Sequence, residues 1–468
     1  MRAEPQVSDY RPDPLILPLA GWLADPVVPA DFPQSIVRFR NERWAAAVGL
    51  DDLSEAAWID RFARFEPLAV NLTQPLALRY HGHQFQSYNP EIGDGRGFLY
   101  AQLRDNADRL LDFGTKGSGQ TPYSRFGDGR LTLKGAVREI LATELLEALG
   151  ANTSKTFSVI ETGEALYRGD EPSPTRSAVM VRLSHGHIRI GSFQRLMAFE
   201  EHEHMAALVD YCLTAFPGPL PPEDAPGRNE PAVILLHQVV ERLADMAASY
   251  MVAGFVHGVL NTDNMNISGE SFDYGPWRWL PRQDPLFTAA YFDQSGLYAY
   301  GRQPTAIHWN CGQLAVALRL LADAPPLIAA LDRFGLLYQQ ALVRRFCWRL
   351  GLTPQGIDLD TALITAAERY MREAEIAPDA LFFTHRAGRN PPAGDFGDKL
   401  GSYQPAAPLN DPLWSEAGPP TNHIDEVERI WAAIAEGDDW APLTAQVAAF
   451  RRLGNALGEA PVAAGHAR

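Results

Sequence analysis

Asn264 and Asp273 are the residues whose types and spacing first suggest chemistry, because they place two oxygen ligands within one short segment. That segment, residues 255–275, reads FVHGVLNTDNMNISGESFDYG. In proteins Mg²⁺ takes few oxygen ligands from side chains and completes its shell with phosphate oxygens and water. The spacing therefore predicts a divalent metal ion held beside phosphate groups.

The same segment overlays a motif pair of protein kinases, H-R-D-L-x-x-x-N followed by D-F-G. His257, Leu260 and Asn264 match the first motif, and Asp273-Tyr274-Gly275 stands for the second. Val259 occupies the position of the catalytic Asp of a kinase, and a valine side chain cannot accept a proton. The segment is therefore either inactive or uses another group as its base.

Two glycine-rich runs provide a candidate phosphate site. Residues 93–97 read GDGRG, and residues 114–119 read GTKGSG. Glycine lets backbone N–H groups approach phosphate oxygens without interference from a Cβ atom. Neither run has the spacing of a Walker A or dinucleotide-binding loop, so each by itself is better explained as a tight turn. Lys116 strengthens the phosphate interpretation, because kinases use a strand lysine that pairs with a helix glutamate.

The helix pattern leaves the partner of Lys116 open. A helix predicted over 132–149 carries Glu139, Glu144 and Glu147. Glu144 lies within the main apolar stripe of this helix, and Glu139 borders a second, shorter stripe. A helix that is apolar on two sides is expected to be buried on both, so either glutamate could face the sheet.

Further charged groups could contact phosphates. Arg182 and Arg189, with Arg176 nearby, carry guanidinium forks that suit bidentate phosphate recognition. Their spacing by itself favours ordinary charges on a strand surface over phosphate contacts. Asp128-Gly129-Arg130 is predicted to be a turn that leads into the helix.

Histidines also occur in pairs, at positions 81 and 83 and at positions 202 and 204. Two residues that are two positions apart on a helix point to different faces. Zinc sites need converging ligands and usually a third group. We therefore expect His202 and His204 to belong to a polar surface.

The elements that must position these groups follow an order of sheet first and helices afterwards. Dense glycines and short apolar runs predict antiparallel strands between 79 and 129, with further strands at 156–161 and 178–183. Helices are predicted over 36–70, 132–149, 199–214, 231–253, 309–322, 327–350, 361–375, 424–436 and 441–457, and a loop over 386–424. This order predicts an α+β fold and is also the order of the bilobal protein-kinase fold.

The domain organisation expected from this order has four parts. Residues 1–78 form an N-terminal extension, and residues 79–198 form a kinase-like N-lobe with a sheet and one helix. Residues 199–385 form a helical C-lobe with the catalytic loop, and residues 386–468 form a C-terminal extension of loop and helices. The chain of 468 residues is too long for one compact core.

Composition restricts the partners. The formal net charge of −16 argues against nucleic acid or an anionic membrane, since phosphate backbones need a basic surface. No apolar run is long enough to span a bilayer, and the N-terminal sequence lacks the apolar core of a signal peptide. Three widely spaced cysteines favour a reducing, cytoplasmic compartment over a disulfide framework.

Taken together, four motifs resemble those of the selenoprotein O family of kinase-like protein adenylyltransferases. They are Tyr123-Ser124-Arg125-Phe126-Gly127-Asp128-Gly129-Arg130, Gly93-Asp94-Gly95-Arg96, Arg138-Glu139 and His257-Gly258-Val259-Leu260-Asn261-Thr262-Asp263-Asn264-Met265. Their joint order covers roughly residues 79–320 and is far more specific than any one motif.

The resemblance implies a kinase-like bilobal fold with N- and C-terminal extensions, in which ATP binds inverted relative to kinases. AMP is then transferred to a Ser, Thr or Tyr hydroxyl of a protein substrate, and pyrophosphate leaves. The residues implied to hold ATP are Gly93, Gly95, Arg96, Lys116, Asp128, Gly129, Arg182, Arg189 and Asp273. Glu139 is implied as the partner of Lys116, and Asn264 and Asp273 are implied ligands of Mg²⁺ or Mn²⁺. Asp263 is the implied proton acceptor, and nearby positive charge is expected to lower the pKa of its carboxyl.

The sequence departs from the family pattern near the first glycine-rich run and at its end. The family run G-H-Q-F-G reads Gly82-His83-Gln84-Phe85-Gln86 here. The chain ends Gly465-His466-Ala467-Arg468, without the terminal selenocysteine or cysteine of many members, so we expect no redox control through a terminal disulfide.

Three other functions remain open at the level of sequence. Val259 argues against a true kinase, because the usual base position is apolar. The retained Lys116, Asn264 and Asp273 argue against a pseudokinase that only binds nucleotide. Transfer of UMP from UTP would use the same pocket and cannot be separated from AMP transfer by sequence.

Overall fold

The computed structural model describes residues 9–169 and 171–461 and has mixed α and β architecture. Residues 1–8, Asp170 and residues 462–468 lie outside the described residues. The expectation about a terminal disulfide concerns the last of these segments. The strands are β1 Ala24–Pro26, β2 Ile36–Arg40, β3 Leu76–Leu78, β4 Gly82–Gln84, β5 Ser87–Asn89, β6 Leu99–Arg104, β7 Leu110–Lys116, β8 Leu131–Thr132, β9 Lys155–Leu166, β10 Thr175–Ser184, β11 Phe255–Val256 and β12 Arg278–Trp279.

The helices follow mainly after the sheet, as the sequence predicts. They are α1 Ala20–Leu23, α2 Glu42–Ala47, α3 Glu55–Phe62, α4 Leu133–Ala148, α5 Ile190–Ala198, α6 His202–Ala215, α7 Pro231–Ala253, α8 Gln303–Leu318, α9 Ala324–Asp332, α10 Phe334–Leu350, α11 Ile357–Glu373, α12 Pro378–Thr384, α13 Asp395–Leu400, α14 Ile424–Gly437 and α15 Ala441–Leu457. Short 3-10 turns occur at Leu17–Leu19, Thr262–Asn264, Tyr300–Arg302, Arg386–Gly388 and Pro412–Ser415.

Within the described residues, eight strands form one antiparallel sheet in the order β1-β3-β6-β7-β10-β9-β2, with β8 paired to β10. The register of β7 and β10 places Lys116 opposite Met180, and Gly114 opposite Arg182. The functional cations predicted from the sequence thus lie at neighbouring positions of two central strands. An aromatic core that includes Trp58, Phe113 and Phe157 packs against this sheet.

Helix α4 closes the sheet and is buried on two sides. Thr132 caps its first turn by accepting a hydrogen bond from Gly135 N at 3.1 Å, and Gly150 ends it with a φ of +73°. One side of the helix packs on β9 and β10, and the other packs on α14 and α15. This arrangement agrees with the two apolar stripes of the sequence, and it fixes which glutamate faces the sheet.

The segment that carries Asn264 and Asp273 lies on a loop between two short strands, as predicted. Strands β11 and β12 pair antiparallel, with Phe255 opposite Trp279. A hairpin of β4 and β5 packs on this loop at the turn Thr262–Asn264. The hairpin thereby joins the sheet side of the molecule to the loop.

Two element predictions are wrong. The helix predicted over 36–70 is a strand followed by the short helices α2 and α3. Residues 36–40, Ile-Val-Arg-Phe-Arg, alternate in polarity and pair with the edge of β9, which overrides the helical pattern. The predicted loop over 386–424 contains α13 and 3-10 turns, because Phe396 and Leu400 are buried in an apolar cluster with α10 and α11.

None of the helices in the described part of the chain has the length and apolar character that crossing a membrane requires.

The turn of the β4–β5 hairpin is strained, which yields a stability prediction. Phe85 and Gln86 both have positive φ, +49° and +62°, as a tight two-residue hairpin requires. A left-handed conformation costs a non-glycine residue roughly 1–2 kcal/mol. Glycine avoids this steric cost, but it loses more backbone entropy on folding, which cancels part of the gain. We expect Gln86→Gly to raise the free energy of unfolding by about 1 kcal/mol, measured by urea denaturation.

Ser87→Gly is the matched control, because Ser87 lies in strand β5. That substitution is expected to lower the free energy of unfolding by about 0.5–1 kcal/mol. Equal losses in the two variants would show that the turn at Gln86 is not strained.

Candidate active site

A cleft of about 630 Å³ lies between the sheet and the 261–275 loop. Its wall contains most residues that the sequence singled out, namely Gly93, Gly95, Arg96, Lys116, Asp128, Gly129, Arg182, Arg189, Asp263 and Asp273. Glu139 lies behind this wall and is fully buried. Asn264 does not line the cleft; it is half-buried on the loop beside Asp263.

Lys116 is the centre of an ion cluster at the floor of the cleft. Its Nζ atom lies 2.7 Å from Glu139 Oε2 and 3.1 Å from Asp273 Oδ1. Arg182 lies 3.2 Å from Asp273 Oδ1 and 3.7 Å from Glu139 Oε1. Lys116, Arg182 and Glu139 are all buried, so two cations and two carboxylates neutralise one another away from bulk water.

The geometry of helix α4 separates the glutamates that the pattern left open. Glu139 and Glu144 are five residues apart, which places them roughly 140° apart around the helix. Glu139 faces β7 and Lys116, whereas Glu144 faces α15 and pairs with Arg451 at 2.6 Å. Glu147 pairs near the surface with Arg43.

Asp273 stays ionised because of its neighbours. Withdrawal from water would raise the pKa of its carboxyl, but Lys116, Arg182, Arg189 and Arg96 together hold that pKa well below its usual range. The residue has a φ of +60°, a left-handed conformation that is costly for aspartate and common at functional sites.

Arg189 joins the glycine-rich run to the loop. Its guanidinium donates to Asp94 Oδ1 at 2.9 Å, to the hydroxyl of Tyr80 at 2.8 Å and to the carbonyl of Asp263 at 3.3 Å. The Nε atom of Arg189 has no hydrogen-bond partner among the described residues. The guanidinium also lies 5.0 Å from the ring of Phe272. Arg189 is therefore a rigidly held cation.

Asp263 is buried at the side of the cleft. Its Oδ2 atom accepts a long hydrogen bond of 3.4 Å from Gln84 Nε2, and its Oδ1 atom has no partner among the described residues. Burial raises the pKa of this carboxyl to about 6, although Arg189 opposes the shift. The expected direction of the pKa shift is wrong, because loss of hydration exceeds the attraction of the nearby cation, but a carboxyl with a pKa of about 6 is still mostly ionised near neutral pH.

The oxygen atoms of Asn264 and Asp273 suit a hard cation. The amide nitrogen of Asn264 donates to the carbonyl of Val259 at 3.0 Å, which leaves its amide oxygen as a possible ligand. The contacts of Asp273 with Lys116 and Arg182 are made by Oδ1. Among the described residues no group of three or more His, Cys, Asp or Glu converges on a metal site. Side-chain oxygens of these two types suit an ion that takes its other ligands from phosphate and water.

The mouth of the cleft carries cations that sequence reasoning missed. Arg168 pairs with Asp128 at 2.8 Å, and Arg130 binds Glu164 at 2.9 Å. Arg125 also lines the cleft. The signal for Arg125 was present, since it lies in the resembling motif, but Arg168 is brought in only by the pairing of β9 and β10.

Asp94 and Tyr80 were also missed as site residues. Asp94 accepts from Leu78 N at 3.0 Å as well as from Arg189, so it ties the glycine-rich run to strand β3. Its position between two glycines was the available signal, whereas nothing in the sequence distinguished Tyr80.

Other candidates lie elsewhere. Arg176 binds Glu161 at 2.7 Å and Asp438, outside the cleft. His81 bonds to the hydroxyl of Tyr88 at 2.7 Å, and the ring of His204 stacks on Trp22. These residues therefore stabilise the fold around the site.

Comparison with known proteins gives a consistent result. The family model described as "Protein adenylyltransferase SelO" matches residues 12–393. A relative from Synechococcus elongatus described as "Protein nucleotidyltransferase YdiU" is 41% identical, and the alignment covers 96% of each chain. A relative of the same description from Synechocystis is 40% identical over 92% of this chain and 95% of its own. One from Pseudomonas putida is 38% identical over 68% of this chain and 63% of its own.

Glu139 and Glu147 of α4 differ in burial, so we expect their substitution to lower the free energy of unfolding by different amounts. Glu139→Gln removes the charge that compensates Lys116 and Arg182, and breaking a buried ion pair costs about 3 kcal/mol. Glu147→Gln removes the same charge from a pair in which Arg43 is 48% exposed, which costs less than about 1 kcal/mol. We expect this contrast in the free energy of unfolding from urea denaturation. Similar small losses in both variants would contradict the structural role of Glu139.

Proposed function

The chain belongs to the SelO family of protein adenylyltransferases, and on that premise we propose that it transfers AMP from ATP to Ser, Thr or Tyr hydroxyls of proteins, releasing pyrophosphate. The enzyme is a protein nucleotidyltransferase. One observation supports the residue roles most directly. Val259 occupies the position that the catalytic base has in a kinase, whereas the buried carboxylate of Asp263 lies in the wall of a strongly cationic cleft.

We propose a kinase-like bilobal arrangement for the fold. The observed antiparallel sheet, the pairing of a strand lysine with a helix glutamate, and the Asn264 and Asp273 loop are consistent with it. In this proposal residues 79–198 form the N-lobe and residues 199–385 form the C-lobe. Residues 1–78 and 386–468 are the two extensions.

The nucleotide is proposed to bind through its phosphates. ATP and the departing pyrophosphate carry several negative charges, which Arg96, Lys116, Arg182 and Arg189 can neutralise in the cleft wall. Gly93, Gly95 and Gly129 provide close backbone approach at the cleft wall, and Asp128 lies at its mouth. Because the overall charge is −16, this positive potential is local to the cleft.

Asn264 and Asp273 are the proposed ligands of Mg²⁺ or Mn²⁺. When bound, such an ion would neutralise part of the negative charge of the phosphates. Lys116 and Arg182 hold Asp273 in place through their contacts with its Oδ1 atom. The hydrogen bond to the Val259 carbonyl holds the amide of Asn264 in one orientation.

Asp263 is the proposed proton acceptor. The acceptor hydroxyl gives its proton to the carboxylate, and its oxygen forms a bond to the α-phosphorus of ATP. The bond from the α-phosphorus to the bridging oxygen breaks at the same time, and pyrophosphate leaves. A carboxyl whose pKa is about 6 is mostly ionised at neutral pH and is still basic enough to accept this proton.

A cytoplasmic location is proposed on the basis of the cysteines. Cys212, Cys311 and Cys347 are buried free thiols, and burial raises the pKa of each. Such thiols are typical of a reducing compartment.

Labelled nucleotides test the proposed transfer directly. With Mg²⁺ or Mn²⁺, ATP labelled at the α-phosphate should leave label on protein, and ATP labelled at the γ-phosphate should not. Label from the γ position would indicate a kinase, and none from either would indicate a nucleotide-binding scaffold. UTP labelled at the α-phosphate, added in competition with ATP, tests uridylyl transfer.

Asp273→Ala tests the metal assignment. We expect AMP transfer to fall at least about 100-fold, since phosphate charge can no longer be neutralised at this position. Asp210→Ala, which removes an exposed carboxylate from α6, serves as the control. Transfer at the wild-type rate by Asp273→Ala would contradict the assignment.

Asp263→Asn separates proton acceptance from nucleotide binding. Loss of a general base typically costs a factor of about 100 to 10,000 in rate. We expect kcat to fall by that order while the dissociation constant of ATP, measured by calorimetry, stays within about two-fold of the wild-type value. An unchanged kcat would place the base elsewhere.

A further inference from the structure

A small aromatic surface is attached to the loop that carries Asp263, and its rings do not line the cationic cleft. It consists of Phe85, Tyr291 and Phe292, which are 36%, 83% and 46% exposed. The ring of Phe85 lies 5.9 Å from that of Phe292, which lies 5.1 Å from that of Tyr291. We propose that this aromatic surface binds the acceptor segment of the protein substrate, through bulky apolar side chains that flank the acceptor hydroxyl. The inference rests on the proposed function and adds a substrate class to it.

The aromatic surface is connected directly to the loop that carries Asp263. Phe85 N donates to Asn261 Oδ1 at 3.0 Å, and the hydroxyl of buried Tyr298 donates to the same atom at 2.8 Å. The ring of Tyr298 lies 5.0 Å from that of Phe85. A polypeptide seated on these rings therefore lies against the loop that carries the proposed proton acceptor, Asp263.

The residues before Phe85 continue the same contact. His83 N donates to Thr262 Oγ1 at 2.7 Å, and the Gln84 amide reaches Asp263 itself. Three successive hairpin residues thus bond to three successive loop residues. Movement of the hairpin relative to the loop would break all of these bonds, so the surface and the proton acceptor are held in one fixed relation.

The segments that carry the three rings contain few charged residues, although the exposed guanidinium of Arg302 lies against the same turn. Between residues 285 and 301 the sequence contains one charged residue, Asp293. The carboxylate of Asp293 is buried and accepts from Leu297 N at 2.9 Å and Tyr298 N at 2.8 Å. Residues 82–89 contain no Asp, Glu, Lys or Arg, and burial lowers the pKa of His83, which favours its neutral form.

The apolar, aromatic character of the three rings indicates the occupant. The protein has a net charge of −16, and the adjacent cleft is lined by arginines and a lysine suited to phosphates. An exposed, uncharged aromatic patch beside such a cleft is matched by apolar side chains and not by a charged segment. Since AMP transfer requires an acceptor oxygen at Asp263, the matching partner is the chain around that oxygen.

The surface is also built in advance of binding. Phe85 and Gln86 are held with positive φ, which is a strained arrangement that keeps the Phe85 ring at the hairpin tip. The turn at residues 293–298 is fixed by the bonds to Asp293 and by the Arg302 guanidinium, which donates to Ser295 O at 2.9 Å. A preformed surface binds a partner with less loss of conformational freedom.

Matched peptides test this specificity. Short synthetic peptides with one Ser, Thr or Tyr acceptor carry either Phe and Leu or Gln and Asn on both sides. Each is incubated with the enzyme and ATP labelled at the α-phosphate. We expect kcat/KM to be at least about ten-fold higher for the apolar flanks, through a lower peptide KM, as is typical of buried aromatic anchors. Equal values for the two flanks would overturn the inference.

Substitutions locate the effect on the surface. Phe292→Ser should remove the preference by raising the peptide KM about ten-fold, with the KM of ATP unchanged. Phe292→Lys should shift the preference toward peptides with Glu flanks. Leu359→Ser, which removes a 57% exposed side chain from α11, should keep the wild-type preference. A preference that survives both changes at Phe292 would also overturn the inference.

Release of pyrophosphate, measured in the same reactions, separates failure of the docking surface from failure of the proposed function. Release without label on either peptide set overturns the docking surface and leaves the proposed function standing. Absence of both release and label contradicts the proposed function, and the docking surface with it.

Discussion

The compensation of Lys116 and Arg182 by Glu139 and Asp273 is the interaction on which the rest of the site depends. Two cations taken out of water are unfavourable unless carboxylates lie within a few ångströms. The carboxylates come from two distant parts of the chain, helix α4 and the 261–275 loop, while the cations come from neighbouring central strands. The cluster can therefore exist only when sheet, helix and loop are all in place. Its formation holds together the elements that surround the cleft.

That constraint shows how an acidic protein can present a site for a polyanion. Local cations outnumber local carboxylates in the cleft wall, although the chain as a whole is negative. Asp263 lies next to this positive region but is buried, and the balance of the two effects raises the pKa of its carboxyl to about 6. The apolar Val259 at the position of the kinase base is then compatible with an active enzyme, because the carboxylate of Asp263 on the same loop lies in the cleft wall.

The β4–β5 hairpin forms a second connection between sheet and loop. Its backbone donates to the side chains of Asn261 and Thr262, the two residues before Asp263, and its strained tip places an aromatic ring outside the cleft. The cationic cleft and the aromatic surface are thus both connected to the loop that carries Asp263. A group-transfer enzyme needs such a boundary, because its two substrates differ in chemistry and must come together at one atom.

The sequence by itself determined the sheet-then-helix order, the long helices such as α7, and the residue types of the cleft. These follow from local periodicity and from the joint order of several motifs, none of which is specific by itself. Local patterns could not choose between Glu139 and Glu144, place Asp94 and Arg168 at the cleft, or recognise β2 as a strand, and they gave the wrong direction for the pKa of Asp263. Each of these depends on which residues face one another across distant parts of the chain. Only the tertiary structure decides them, because burial and ion pairing are set by the neighbours that folding brings together and not by neighbours in sequence.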